Sequence, residues 1–154
     1  MPAFRVDVIR TAEELQKALA VRARVFVDEQ HVPLDEEVDG YDTDPAASTH
    51  VVHVLGCLDG TPIATGRLLL PTDAGGLPHI GRVAVLAPQR GHRYGAAIME
   101  ALHAEARTRG FVGATLAAQV HAIPFYAGLG YVAHGPLFLD AGIEHRQMDL
   151  RFRD

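Results

Sequence analysis

The residues best placed to do chemistry lie in one short run, Gln89-Arg90-Gly91-His92-Arg93-Tyr94-Gly95-Ala96-Ala97, between an apolar strand-like segment and a long amphipathic one. The first amides of a helix have no internal partner and point outward, at the positive end of the helix dipole. Small residues let a diphosphate come close to such amides. Gly91 and Gly95 supply the room, and Arg90, His92 and Arg93 surround it with donors. The plainer alternative is that the glycines only make a tight strand–helix turn. The run is not a P-loop, since no Gly-Lys-Ser/Thr follows, and its glycine spacing departs from the dinucleotide fingerprint. Other reactive side chains offer less. His50 and His53, three apart on a strand, point to opposite faces and suit no single metal ion; none of the nine histidines has good metal-ligand spacing. Ser48 is the sole serine and has no elbow motif around it. Cys57 sits inside an apolar strand and reads as a small core residue.

The elements that must position this turn follow from periodicity. Phe4 to Ile9 alternates as a strand. Thr11-Ala12-Glu13-Glu14 is a capping box, and Leu15, Ala18, Leu19 and Phe26 share one face of the helix it opens, which Pro33 ends or just follows. An acidic segment, Asp35 to Pro45, reads as a short helix and a loop. His50 to Leu58, Pro62 to Leu70 and Ile80 to Leu86 read as a meander, turning at Asp59-Gly60 and Asp73-Ala74-Gly75-Gly76. After the glycine turn, Ile98, Ala101, Leu102 and Ala106 give a helix an apolar face, and Gly110 stops it. Ala114 to Gln119 reads as a buried strand and His121 to Ala127 as a short helix. Tyr131 to Leu139 and Arg146 to Phe152 are two more strands, joined at Asp140-Ala141-Gly142. This order predicts an α/β (α+β) domain: a mixed, mostly antiparallel sheet of six to seven strands with helices on both faces.

The 154 residues suit a single domain, 1–154, with one core. With 48% hydrophobic and 21% charged residues, the chain has ordinary globular composition. No apolar run is long enough to span a bilayer, so no membrane role is expected. Met1 to Asp7 lacks a basic stretch followed by an apolar one, so no signal peptide is expected there. A single cysteine is compatible with a reducing compartment. Fourteen basic against 19 acidic side chains, net charge -5, argue against nucleic-acid binding and suit a soluble, cytoplasmic protein that attracts cations.

Arg90-Gly91-His92-Arg93-Tyr94-Gly95-Ala96 resembles the R-x-x-G-x-G/A acetyl-coenzyme A motif of the GNAT N-acetyltransferase superfamily. Arg93 stands where that family usually has its first glycine. An arginine is accommodated there only if its backbone needs no positive φ; its side chain can then add a phosphate contact. Ala122-Ile123-Pro124-Phe125-Tyr126-Ala127-Gly128-Leu129-Gly130-Tyr131 resembles the family's A-x-x-F-Y-x-x-x-G-F/Y segment. Val25 to Gln30, Val32 to Asp39 and Asp140 to Met148 are similar to the ElaA/YjcF-like branch of that superfamily. The resemblance covers almost the whole chain. It implies acetyl transfer from acetyl-coenzyme A to an amine, by direct attack in a ternary complex. It also implies that Val83, Ala84 and Val85 offer an open strand edge to the pantetheine arm, and that Tyr126 lies beside the sulfur, where a phenol can protonate the departing thiolate. The alternatives are that these residues are core strand and a core aromatic. Phe125 reads as packing beside the coenzyme.

Such a reaction needs a base for the ammonium and a donor for the carbonyl oxygen, for which the Val83 amide is the positional candidate. The candidate bases are Glu36, Glu37, Asp39, His79 and His121. Glu37 comes first, because Glu37-Val38-Asp39 can also hold a cationic acceptor; the alternative is a solvated loop. His79 directly precedes the central strand. Arg67 either binds an acidic acceptor group or pairs with a loop carboxylate. The acceptor is a small-molecule or protein amine, and the late strands of such domains often make a homodimer interface. The rival reading is a non-catalytic acyl-coenzyme A-binding or regulatory module on the same fold.

Overall fold

The Thr11 side chain opens the first helix as its sequence context requires. Its hydroxyl accepts from the Glu14 amide and the Glu14 carboxylate accepts from the Thr11 amide, both at 3.1 Å. The computed structural model describes residues 3–153; Met1 and Pro2, at the start of the stretch considered for a signal, and Asp154 lie outside the described residues. Helix α1 (Ala12–Arg22) runs directly into a π-helix, Ala23–Glu29, in which Gln30 N donates to Val25 O, five residues back. Apolar spacing alone gives no sign of this wider coil. Pro33 caps a one-turn helix, α2 (Leu34–Glu37), inside the acidic segment.

Seven strands follow in one sheet: β1 (Phe4–Val8), β2 (Val51–Leu58), β3 (Thr61–Leu69), β4 (His79–Val85), β5 (Gly113–Gln119), β6 (Val132–Asp140) and β7 (Ile143–Arg151). Their spatial order is β1-β2-β3-β4-β5-β7-β6, and only the β4–β5 pair is parallel. Helix α3 (Tyr94–Thr108) makes the crossover between those two, and α4 (Ile123–Gly128) follows β5. The last hairpin turns at Ala141-Gly142, with φ of 51° and 76°, as Asp59-Gly60 turns the first with 49° and 84°. Strand β7 therefore starts three residues before the expected Arg146, because a two-residue turn leaves no slack. Among the described residues no helix is long and apolar enough to cross a membrane.

The pleat assigns each helix a face. Leu55 packs with Leu15 and Ala18 of α1, while its neighbour Gly56 meets Ile98 of α3 on the other side. Gly66 shows why a glycine stands mid-strand: a Cβ there would lie 2.8 Å from an Ile98 methyl and 3.0 Å from one of Leu102. Cys57 is half-buried beside the α1 cluster, and burial pushes its thiol up, as an unreactive packing cysteine requires.

Candidate active site

The sheet opens where β4 changes course. Thr65 pairs with Ala84 but Arg67 pairs with Gly81, so β4 carries one residue more than β3 between those points. Arg82 takes up the extra length in a left-handed conformation, φ 52°. Such a bulge bends its strand away from the neighbour. Accordingly β4 and β5 pair only at His79–Thr115 and Ile80–Leu116, and Val83, Ala84 and Val85 have no partner on the β5 side. The gap holds a cavity of about 860 Å³, lined by those three residues, by Ala117 and Gln119 across from them, and by Phe125 and Tyr126 of α4.

The glycine turn closes one end. Gly91 (φ 88°) and Arg93 (φ 65°) are left-handed, and Arg93 caps α3 without a side-chain bond. Arginine therefore occupies the positive-φ conformation that the sequence reading required it to avoid; the strain is of order 1–2 kcal/mol. Among the described residues, no backbone or side-chain group accepts from the amides of Gly91 to Ala96, which leaves them free for an anion. Tyr94, Gly95 and Ala96 line the cavity, and Phe125 covers Gly95: a Cβ there would come within 3.4 Å of its ring. His92 does not line the cavity; its ring tilts against Tyr94 at 5.6 Å. Arg90 lines it, but its guanidinium is engaged by Val85 O (3.0 Å) and by both oxygens of Glu29 (2.6 and 2.8 Å).

Tyr126 is half-buried on the cavity wall, and its hydroxyl makes no hydrogen bond among the described residues. Burial pushes the phenol up to about 12, so it carries its proton at neutral pH. The ring meets Phe125 edge-on at 5.0 Å.

At the far end, the acidic segment is drawn onto the sheet by arginines. Arg22 is 1% exposed and donates to Glu37 Oε1 (2.7 Å), Glu37 O (2.8 Å) and both oxygens of Asp42 (2.7 and 2.9 Å). Arg67 forks onto Asp39 at 2.8 and 2.6 Å. Arg82 reaches from the bulge to Glu37 O at 2.9 Å and Glu37 Oε1 at 3.1 Å. Burial pushes Asp39 up, but the Arg67 guanidinium, with the Tyr41 amide and the Arg82 charge, outweighs it and holds the carboxyl at about 2. Glu37 lines the cavity yet is 2% exposed, with one oxygen taken by two guanidiniums and the other without a partner. Of the two readings of Arg67, pairing with a loop carboxylate is the one realised. Asp39 and Arg67 pair with each other and neither lines the cavity, with the Arg67 Nε left without a partner, which corrects their placement as acceptor contacts.

His79 does line the cavity. Burial lowers its pKa, the Arg67 charge adds to that, and Asp140 opposes it. Its ring has no hydrogen-bond partner among the described residues, so it stands as a neutral imidazole with free lone-pair capacity. Glu36 and His121 line the cavity from exposed positions. Sequence reasoning missed Arg22, Asp42, Arg82 and Glu29. Arg22 had a signal: it falls four residues after Ala18 on the buried face of α1, where a charge survives only if paired. Arg82 had none, since nothing local marks a non-glycine bulge.

Three comparisons agree with this geometry. Residues 15–152 match the acetyltransferase (GNAT) domain model. The uncharacterised N-acetyltransferase YjcF of Bacillus subtilis is 39% identical over 147 residues, covering 94% of this chain and 98% of that protein. Among solved structures, an acyl-CoA N-acyltransferase from Pseudomonas aeruginosa is 33% identical with a TM-score of 0.80, covering 96% of this chain and 99% of its own. Escherichia coli ElaA superposes with a TM-score of 0.84 at 25% identity, over 97% and 100% of the two chains.

Proposed function

Because the chain belongs to the GNAT acetyltransferase family, in its ElaA/YjcF-like branch, we propose that it moves an acetyl group from acetyl-coenzyme A to an amine by direct attack in a ternary complex. One observation carries the reading: the turn of unpartnered amides, Gly91 to Ala96, lines the same cavity as Val83 to Val85, an edge that has no strand partner on the β5 side and of which the Val85 carbonyl is held by Arg90. Amides at a helix entrance suit a diphosphate, and an unpaired strand edge suits an amide-bearing arm laid along it. The cavity volume fits a buried small-molecule site.

The residues divide the work as follows. Val83 turns its amide toward the acyl oxygen and polarises the carbonyl. His79 takes a proton from the acceptor ammonium, directly or through one water, because it is neutral and unengaged. Glu37, with its oxygen held by Arg22 and Arg82, positions the wall rather than taking that proton. Tyr126 gives its proton to the departing thiolate. Three arginines pair with Glu37, Asp39 and Asp42 around the acceptor end, while Glu36 and Asp140 line the cavity itself. An amine that arrives as its ammonium, from a metabolite or a protein, suits these carboxylates.

The test has two readouts. Millimolar acetyl-coenzyme A raises the melting temperature of the purified protein, and a panel of primary amines, including peptide N-termini and lysine peptides, releases free thiol in an amine-dependent manner. A melting temperature indifferent to the coenzyme removes the assignment. A shift without thiol release from any amine reduces the protein to a coenzyme-binding module.

A further inference from the structure

Glu29 and Arg90 are paired with each other on the cavity wall, and both line it. Glu29 ends the π-helix, and Arg90 begins the turn that holds the free amides. The two side chains meet fork to fork, Nη1 to Oε2 at 2.6 Å and Nη2 to Oε1 at 2.8 Å, while Nε is fixed on Val85 O at 3.0 Å. The Arg90 bond holds the Glu29 carboxyl below its usual range. Next along the chain, the Gln30 side-chain oxygen Oε1 accepts from the Gln119 side-chain Nε2 of β5 at 2.8 Å. The end of the π-helix is thus tied to both sides of the open cleft. Yet both charged partners are about two-fifths exposed, so the pair is reached by solvent and open to exchange.

A carboxylate and a phosphate offer a guanidinium the same two-oxygen face. We propose that Glu29 is an internal occupant of the Arg90 fork that a coenzyme phosphate displaces, so that Glu29 sets the affinity for coenzyme A. The proposal rests on the coenzyme reading above. Binding exchanges one charge-assisted pair for another and leaves Glu29 as an unpaired carboxylate on the cavity wall. The internal pair weakens binding by what an exposed ion pair is worth, and its removal strengthens binding by the same factor.

Titration calorimetry with coenzyme A at low ionic strength tests this on wild type, Glu29→Gln and Asp28→Asn. Asp28 is exposed on the same π-helix and does not line the cavity, so it reports the effect of losing one nearby negative charge. Glu29→Gln is expected to lower Kd by about 1.5- to 5-fold relative to both wild type and Asp28→Asn. Its melting temperature without coenzyme falls slightly or stays put, since a pair is lost, while the coenzyme-induced rise grows. A Glu29→Gln Kd equal to that of Asp28→Asn, or weaker than wild type, overturns the exchange and makes Glu29 a positioner of Arg90. Wild-type protein that binds no coenzyme A overturns the exchange together with the functional reading, whereas wild-type binding without a Glu29 effect overturns the exchange alone.

Discussion

Replacing Arg22 with methionine should be the most damaging single change outside the apolar core. The guanidinium is 1% exposed and supplies four hydrogen bonds to Glu37 and Asp42, whose side chains are 2% and 0% exposed. Methionine fills much of the volume but leaves both carboxylates short of a cation. Glu37 keeps only Arg82 at 3.1 Å, and Asp42 keeps Arg67 at 3.4 Å and the Asp39 amide at 3.0 Å. Removing one partner of a buried ion pair costs about 3–5 kcal/mol, chiefly as the desolvation of the charge left behind. For a domain of this size that is a fall in melting temperature of about 6–20 °C. Urea unfolding monitored by circular dichroism gives the value directly. The cause is separable from lost packing: adding Asp42→Asn to Arg22→Met removes a stranded charge and should recover about 1 kcal/mol or more. Burial pushes the Asp42 pKa up, but the hydrogen bond from Arg22, the Asp39 amide and the charges of Arg22 and Arg67 together outweigh it and hold the group low. Its contribution is therefore present above the unfolded pKa near 3.9 and lost as pH falls through the lower folded value. Arg22→Met should shrink that acid-dependent part. A loss below about 1 kcal/mol, or no recovery in the double variant, would refute the view that this cluster is held by charge pairing.

Other expectations are simpler to state. Tyr126→Phe should lower turnover by about 10²–10⁴-fold with coenzyme Kd changed less than about twofold, by thiol release and calorimetry respectively; undiminished turnover would take Tyr126 out of the proton transfer. Burial, aided by Arg107, pushes His103 down to about 4, and its Nε2 lies 2.7 Å from the Tyr131 hydroxyl. A histidine depressed in the folded state binds fewer protons there than when unfolded, so stability should fall as pH drops from about 6.5 to about 4. His103→Gln should flatten that slope in urea titrations, and an unchanged slope would assign it elsewhere. Arg93→Gly relieves a left-handed arginine and should raise the stability of the free protein by about 0.5–1 kcal/mol, the strain released less the added freedom of the unfolded chain. It also removes a cavity-lining cation, so its coenzyme Kd should rise; a drop in melting temperature without coenzyme would contradict the strain argument.

What the sequence disclosed depended on how local each signal was. The capping box at Thr11, the turn at Asp59-Gly60 and the apolar face of α3 are set by residues close to one another in sequence, and each appears where expected, whereas the last turn lies within the expected Asp140-Ala141-Gly142 but is tighter than the expected strand bounds allowed. The free amides of the glycine turn were legible for the same reason. The acceptor end was not. Glu37 and Asp39 looked available because their arginines are remote: Arg22 lies 15 residues before Glu37, Arg67 lies 28 after Asp39 and Arg82 lies 45 after Glu37. An acidic run reads as solvated until the fold brings cations to it. The π-helix was hidden because apolar spacing does not distinguish a four-residue from a five-residue hydrogen bond over seven residues.

The bulge in β4 links the two ends of the cavity into one device. An extra residue at Gly81-Arg82 ends the pairing with β5 after Ile80, and this frees Val83 to Val85. The same residue, turned left-handed, aims the Arg82 guanidinium out of the sheet and onto the carbonyls of Glu36 and Glu37. Opening the strand edge and attaching the acidic segment as a wall are therefore consequences of one backbone irregularity. A regular β4 would close the cleft and, at the same step, remove the anchor of its far wall. The buried cluster of Arg22, Glu37 and Asp42 then has a role beyond stability: it fixes the segment that Arg82 grips, so that His79, at the start of the same strand, faces a wall of defined position rather than a loop. Under the proposed reaction, rigidity at this end is needed because the reacting atoms must be held to a fraction of an ångström, and a network of paired charges supplies it.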